Sequence, residues 1–202
     1  ASSTLDVLWT LYDRVLRIDP LDPGHSDRDR FFLSKGHGPM AYYAVLAAKG
    51  FIDAELLTSF AQFDSSLGHH PDRRLIPGVE ISSGSLGMGI ALGVGSALAL
   101  SLDGSSARVF VMVGDGELDE GSNHEAIAVA GRLGLSNLIV IVIDNHSSTH
   151  GWPGGISSRF SVEGWHTVDV DGRSHDDIHA GLVVEHPTRP LAVVASVGGW
   201  DV

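Results

Sequence analysis

Residues 109–145 read VFVMVGDGELDEGSNHEAIAVAGRLGLSNLIVIVIDN, and their pattern decides the fold. Residues 109–113 and 138–143 are continuous apolar runs rich in Val and Ile, the signature of strands buried on both faces of a parallel sheet. The first run ends in Gly114-Asp115-Gly116 and the second in Asp144-Asn145. Between them, residues 123–133 predict a helix, so the stretch is one strand-helix-strand crossover. Parallel strands place both carboxyl ends on one sheet edge, where open α/β sheets bind ligands, and Asp115 and Asn145 are expected to face each other across that crevice. Two oxygen donors with nearby backbone carbonyls suit a hard divalent cation, Mg2+ or Ca2+, whose remaining positions go to phosphate oxygens. The glycines around Asp115 let the backbone approach those phosphates, and the helix start after Gly121 offers unsatisfied N–H groups. A helix-capping role for Asp115 after the strand is the plainer alternative.

Upstream, residues 2–17 set Leu5, Leu8, Leu11, Tyr12, Val15 and Leu16 at helical spacing, so the chain is expected to begin partway into its domain. A Pro/Asp/Gly loop over residues 19–29 precedes a short strand, Phe31-Phe32-Leu33, that runs into Ser34-Lys35-Gly36-His37-Gly38. Pro39 opens a helix filled by residues 41–48, and a second short helix is predicted over 53–60. Residues 78–95 are glycine-rich and lead into a small-residue helix over 87–100, as expected of backbone pressed against something flat or phosphorylated. Downstream, residues 168–170, 176–185 and 191–197 add strand, helix and strand. The predicted fold class is α/β, a doubly wound, mostly parallel sheet with helices on both faces, in a single domain over residues 1–202.

Composition narrows the function. Of 202 residues, 43% are hydrophobic and 19% charged, the balance of a folded globular domain. The longest apolar stretches, near 90–100 and 138–143, fall short of the roughly 18 to 20 residues a bilayer span needs. Zero cysteines removes disulfides, thiolate metal sites and thiol nucleophiles together, and points to a reducing cytoplasm. A net charge of −12 disfavours nucleic-acid and anionic-membrane partners, and any bound polyanion needs a cation with it.

Gly116 and Asn145 are separated by 28 residues, the spacing of the thiamin-diphosphate motif, and neighbouring segments narrow the likeness to transketolase. Ser34-Lys35-Gly36-His37-Gly38 resembles that family's S-[NK]-G-H-[GA]. His70-Pro71 followed by Gly78-Val79-Glu80 is similar to its H-P and G-V-E pair. Gly84-Ser85-Leu86-Gly87-Met88-Gly89 resembles G-P-L-G-Q-G, and residues 114–121 resemble G-D-G-x-x-x-E-G. The resemblance covers roughly residues 5–171 and implies the following roles. Asp115 and Asn145 coordinate Mg2+ by side chain and Ser147 by its carbonyl, bridging to the diphosphate of thiamin diphosphate. Gly114, Gly116 and His37 contact that diphosphate, and Asn145 serves cofactor and metal alike. Gly84, Ser85 and Leu86 line the aminopyrimidine and thiazolium. His70 meets the hydroxyls of the donor sugar, while Glu120 and Glu125 couple the two active sites of a dimer.

Several positions keep a second reading. His69 is taken as a solvated neighbour of His70, with a shared substrate contact as the alternative, and Glu120 also suits a helix N-terminus electrostatically. His175 and His179, like His146 and His150, are four apart, a zinc-ligand spacing without an evident third ligand. Ser85 and Met88 replace the family's Pro and Gln, and residues 146–150 replace a more apolar run. Two further family histidine segments have no counterpart here, so the sequence is expected to be a fragment or to lack loops, with Gly198-Gly199 as the junction. The family also takes its cofactor-activating glutamate from a pyrimidine-binding domain on the partner chain, for which 202 residues leave no room. The resemblance therefore implies the N-terminal subunit of a split transketolase, completed by a C-terminal subunit in an α2β2 assembly acting on sugar or small-aldehyde substrates. Half of another thiamin-diphosphate carboligase or deoxyxylulose-phosphate synthase-like enzyme, and a non-catalytic Mg2+-diphosphate binding module, are the alternatives.

Overall fold

The computed structural model describes residues 2–148 and 150–198. Gly199, the second residue of the expected junction, and the three residues after it lie outside the described residues. In chain order the elements are α1 (Ser2–Thr10), a π-helical turn (Leu11–Val15), β1 (Arg30–Leu33), α2 (Pro39–Ala48), a 3-10 turn (Ala54–Ser59), α3 (Gly89–Leu102), β2 (Val109–Gly114), a 3-10 turn (Gly116–Asp119), α4 (Gly121–Leu133), β3 (Leu138–Asp144), α5 (Ile156–Ser161), β4 (His166–Asp171), α6 (His175–Leu182) and β5 (Leu191–Ser196).

The five strands form one sheet in the order β1-β2-β3-β5-β4, and every pairing is parallel. Alternate residues of the central strands feed two separate cores, which is why their sequences lack a polar face. Phe110, Met112, Ile139, Ile141 and Val193 pack with Leu8 and Leu11 near the chain start, Tyr42 and Leu46 of α2, and Ile178 and Leu182 of α6. On the other face Val111, Val113, Val140 and Val142 pack with Ile90 and Val94 of α3, Ile127 of α4, and Phe160 and Trp165 around α5. The doubly wound α/β reading therefore holds. Gly93 explains how closely α3 lies on the sheet, because a Cβ there would sit 2.5 Å from Val111. Among the described residues no helix is long and apolar enough to cross a membrane.

Local departures have local causes. The helix expected over residues 2–17 is α-helical only to Thr10, and the wider π turn that follows brings Leu11, Tyr12 and Val15 all to the core. The expected helix over 53–60 is a 3-10 turn with no fully buried residue; Leu56, Leu57 and Phe60 pack only partly against the core, a weak hold for α geometry. The helix expected over 87–100 starts at Gly89, because Gly87 sits at φ 84° in the turn before it. The helix expected over 176–185 ends at Leu182. The short α5, preceded by left-handed Gly154 and Gly155, has no counterpart in the sequence reading.

The end of the sheet opposite the crevice is pinned by Asp29, whose side chain is fully buried. It accepts hydrogen bonds from Arg17 Nη2 at 2.9 Å, Arg108 Nη2 at 2.6 Å and the Arg108 amide at 2.9 Å, joining the starts of β1 and β2. Burial acts to raise its carboxyl, but these hydrogen bonds outweigh it and hold the group below its ordinary range. A depressed carboxylate contributes stability above its unfolded-state pKa and loses it as pH falls through the folded value. Both arginines are partly solvated, so Asp29→Asn is expected to lower unfolding free energy by about 2 kcal/mol near neutral pH, less than a fully buried pair. Urea titrations should show that difference shrinking progressively below pH 4.

Candidate active site

The crevice forms where β1, β2 and β3 end side by side. β2 stops at Gly114 and the chain turns at once into Gly116–Asp119, leaving Asp115 at the bend, 1% exposed. Its amide donates to Ile143 O at 3.1 Å, extending the β2–β3 ladder by one bond. One carboxylate oxygen accepts the Ser147 amide at 2.6 Å and the Ser148 amide at 3.0 Å, and the other accepts the Ser147 hydroxyl at 2.6 Å. Burial acts to raise the Asp115 carboxyl, but the Ser147 hydroxyl and the amides around it prevail and hold it below the usual carboxylate range. Asp115 makes no side-chain cap bond to the turn it begins and instead accepts the Ser147 and Ser148 amides of the loop after β3.

That loop leaves β3 through Asn145 and through His146, whose φ of 58° is left-handed and whose amide donates to Asp144 at 3.1 Å. Asn145 Oδ1 is buried and has no hydrogen-bond partner. A buried amide oxygen left without a donor is costly unless a cation or water meets it. The Ser147 carbonyl lies 3.6 Å from where a Gly116 Cβ would stand, on the same cavity wall. A buried carboxylate, an orphaned amide oxygen and a backbone carbonyl are hard oxygen donors, and this set fits a Mg2+-type cation.

The cavity in front of them measures about 250 Å3. Lys35 and His37 line it from the end of β1, Leu86 from the glycine-rich turn, Gly114, Gly116 and Glu117 from the end of β2, Asn145 and Ser147 from the end of β3, and Ser3 from α1. Burial pushes the Lys35 ammonium below its ordinary range, with the Asp115, Glu117 and Asp144 carboxylates acting against it. The turn that reaches the cavity is Gly116–Asp119, whereas α4 begins farther on. The helix start after Gly121 contributes no residue to this cavity wall.

The other expected site residues fall into two groups. His70 lies at the rim, its Nδ1 3.1 Å from Gly36 O and its ring centroid 6.0 Å from that of His37. Gly84, at φ 147°, packs so closely here that a Cβ would stand 3.2 Å from the His70 ring, and Gly36 meets it at similar range. His69 instead turns its ring to Phe60, with centroids 5.7 Å apart. Ser85, Glu120 and Glu125 are exposed and outside the cavity wall, Glu120 beside Gly87 at the entry to α4. His175 is engaged by Asp6 at 3.2 Å and His146 by Asp144 at 3.2 Å, and among the described residues no three His, Asp or Glu side chains converge as a metal site.

Glu117 was missed by sequence reasoning. It is 3% exposed at the cavity wall, and Oε1 accepts from the Ser34 hydroxyl and from the Gly87 amide at 3.0 Å. Oε2 accepts from the Gly114 amide at 3.3 Å. Burial pushes its carboxyl up, with the Ser34, Gly87 and Gly114 donors opposing that. An acid placed directly after a Gly-Asp-Gly turn is electrostatically adverse to a polyanion, and that misfit was the available signal.

Comparison with known proteins adds three findings. Residues 1–190 match the family model for the transketolase, thiamine diphosphate binding domain. The chain is 58% identical over 198 residues to "Ferredoxin fas2" of Rhodococcoides fascians, covering 98% of this chain and 65% of that protein. It is 39% identical over 182 residues to the 6-deoxy-6-sulfo-D-fructose transketolase subunit SqwG of a Clostridium strain, covering 87% of this chain and 66% of that one. The chain thus spans just under two thirds of the length of these curated relatives. Its fold matches the solved transketolase of Leishmania mexicana with a TM-score of 0.81 at 32% identity, over 94% of this chain and 31% of that one.

Proposed function

The chain belongs to the transketolase family by its thiamine diphosphate binding domain, and from that we propose that it is the diphosphate-binding half of a split transketolase. The observation that carries the reading is the orphaned Asn145 oxygen set beside the buried Asp115 carboxylate at two neighbouring strand ends. Residues 1–202 form one cofactor-binding domain in this proposal. Asp115 and Asn145 hold Mg2+ by side chain and Ser147 by its carbonyl, while Gly114, Gly116 and His37 meet the diphosphate. Gly84, Ser85 and Leu86 face the rings. When bound, thiamin diphosphate supplies a nucleophilic carbon and an electron sink for transfer of a two-carbon ketol unit from a ketose to an aldehyde.

His70 binds donor hydroxyls at the rim, held by Gly36 O and packed on Gly84. Glu120 and Glu125, exposed at the start of α4, face the dimer axis of an α2β2 assembly whose C-terminal subunit brings the activating glutamate. That SqwG is named as a transketolase subunit supports a divided enzyme. The name ferredoxin carries no iron-sulfur role to this chain, since such clusters are held by cysteine thiolates and the sequence has none. The absence of cysteine also supports a cytoplasmic setting.

Calorimetric titration tests the proposal. Mg2+-dependent binding of thiamin diphosphate in preference to ADP supports it, and equal binding of both points to a general Mg2+-diphosphate module. In the enzyme reconstituted with its partner, His70→Ala is expected to leave cofactor affinity intact and to reduce kcat/KM on the order of tenfold or more through lost hydrogen bonding. His69→Ala should be milder, and the reverse ranking in steady-state kinetics would show that the wrong histidine was assigned.

A further inference from the structure

We propose that Glu117 is a positioning residue for the phosphate end of the cofactor, tying three cavity-forming segments together and acting through its charge on the Lys35 ammonium that shares their cavity wall. The inference rests on the thiamin-diphosphate reading above and goes beyond it, since neither residue has a role there.

Glu117 contacts three segments far apart in sequence that all reach the cavity. Through Ser34 it holds the end of β1, through the Gly87 amide the glycine-rich turn, and through the Gly114 amide the end of β2. Ser34 passes the connection on, because its hydroxyl oxygen accepts the Gly89 amide at 3.0 Å at the first turn of α3. The Glu117 carbonyl accepts Asn123 Nδ2 at 2.6 Å, fixing the turn against α4. Every one of these partners donates, so the carboxylate acts only as an acceptor, a role an amide side chain cannot fill at both oxygens.

Lys35 is the cation in this arrangement. It is half-buried on the same cavity wall, with its Nζ 3.6 Å from where a Gly114 Cβ would stand. The carboxylates acting on it are Asp115, Glu117 and Asp144. Asp115 and Glu117 lie on the bend beneath it, and a diphosphate entering the cavity meets an ammonium already in place. Glu117, although negative, thereby serves anion binding: it directs backbone amides and keeps its own oxygens occupied, and its charge reaches Lys35 on the same cavity wall.

The test is a double-mutant cycle read by NMR titration of the chain with Mg2+ and thiamin diphosphate. Glu117→Gln preserves volume but sets an amide NH2 against the Gly114 N–H, and Lys35→Met removes the charge while keeping the stem. Each is expected to weaken binding about tenfold, and the double variant to lose little more than either alone, as for groups acting as one unit. In the free protein, Glu117→Gln should also shift the Lys35 side-chain resonances and the Gly87 and Gly114 amides, a signature a general loss of stability would not give. Binding by Glu117→Gln within twofold of wild type, or losses that simply add with Lys35→Met, overturns the inference while leaving the cofactor reading intact. Failure of both the wild-type chain and its complex with the partner subunit to bind overturns both. If Glu117→Gln unfolds, Lys35→Met with unchanged affinity is sufficient to overturn it.

Discussion

Asp115→Ala is expected to weaken Mg2+-dependent binding of thiamin diphosphate by about 3 kcal/mol or more, roughly a hundredfold or more in Kd. Asp115 is 1% exposed, and hydrogen bonds from Ser147 and Ser148 hold its carboxyl below the usual range, so in the proposed site it would be the charged ligand of the cation. Without it, Asn145 and the Ser147 carbonyl remain as neutral donors facing a polyanion. The substitution also releases the Ser147 and Ser148 amides, so order in the loop after β3 falls as well. The fold should survive, because Asp115 belongs to neither hydrophobic core. Isothermal titration of the variant, with circular dichroism to confirm folding, decides the matter; an unchanged Mg2+-dependent affinity would remove Asp115 from the metal site.

The second large effect is a missing one. The purified chain, even at saturating thiamin diphosphate, is expected to leave the C2 proton of the cofactor exchanging at its rate in buffer. In the proposed enzyme, activation comes from a carboxylic acid at the aminopyrimidine, and the acids Asp115 and Glu117 are already engaged, Asp115 by the loop after β3 and Glu117 by three donors. Addition of the partner subunit should accelerate exchange by about 10² to 10⁴-fold or more, the usual reach of a positioned general acid. Hydrogen–deuterium exchange followed by NMR, with and without the partner, measures this. Full acceleration by the chain alone would mean that a general acid lies within these residues, and the half-enzyme proposal would fail.

Much of the scaffold was legible in the sequence because burial on both faces leaves so direct a mark. The runs that became β2 and β3 carry no polar residue before Gly114 and Asp144, and that was enough to place Asp115 and Asn145 on one edge. Pro39 marked the first residue of α2 correctly. Less legible were elements set by tertiary packing: the π turn after Thr10 continues the three- and four-residue apolar spacing of an α-helix, and α5 is too short to show a period. At the site, motif spacing brought His37, Leu86, Gly114, Gly116, Asn145 and Ser147 to one cavity. It could not reveal that Asn145 is orphaned, that Ser147 bonds Asp115 by its hydroxyl, or that Glu117 gathers three segments, since those depend on contacts between residues far apart in the chain. The sequence reading set His69 apart from His70 as a solvated neighbour, but it could not show what each ring meets, Phe60 for one and Gly36 for the other.

The parallel pairing of Arg30 with Val109 and of Val109 with Leu138 has a bearing on time as well as on geometry. No hairpin can bring β1 beside β2, so the polypeptide must close a long loop before the three strand ends meet, and sheets of this kind are slow to form. A ligand that needs all three ends finds no foothold on a chain still searching for that register. Its stabilisation therefore enters after the folding barrier has been crossed, lengthening the lifetime of the native state through slower unfolding while leaving the rate of its formation unchanged.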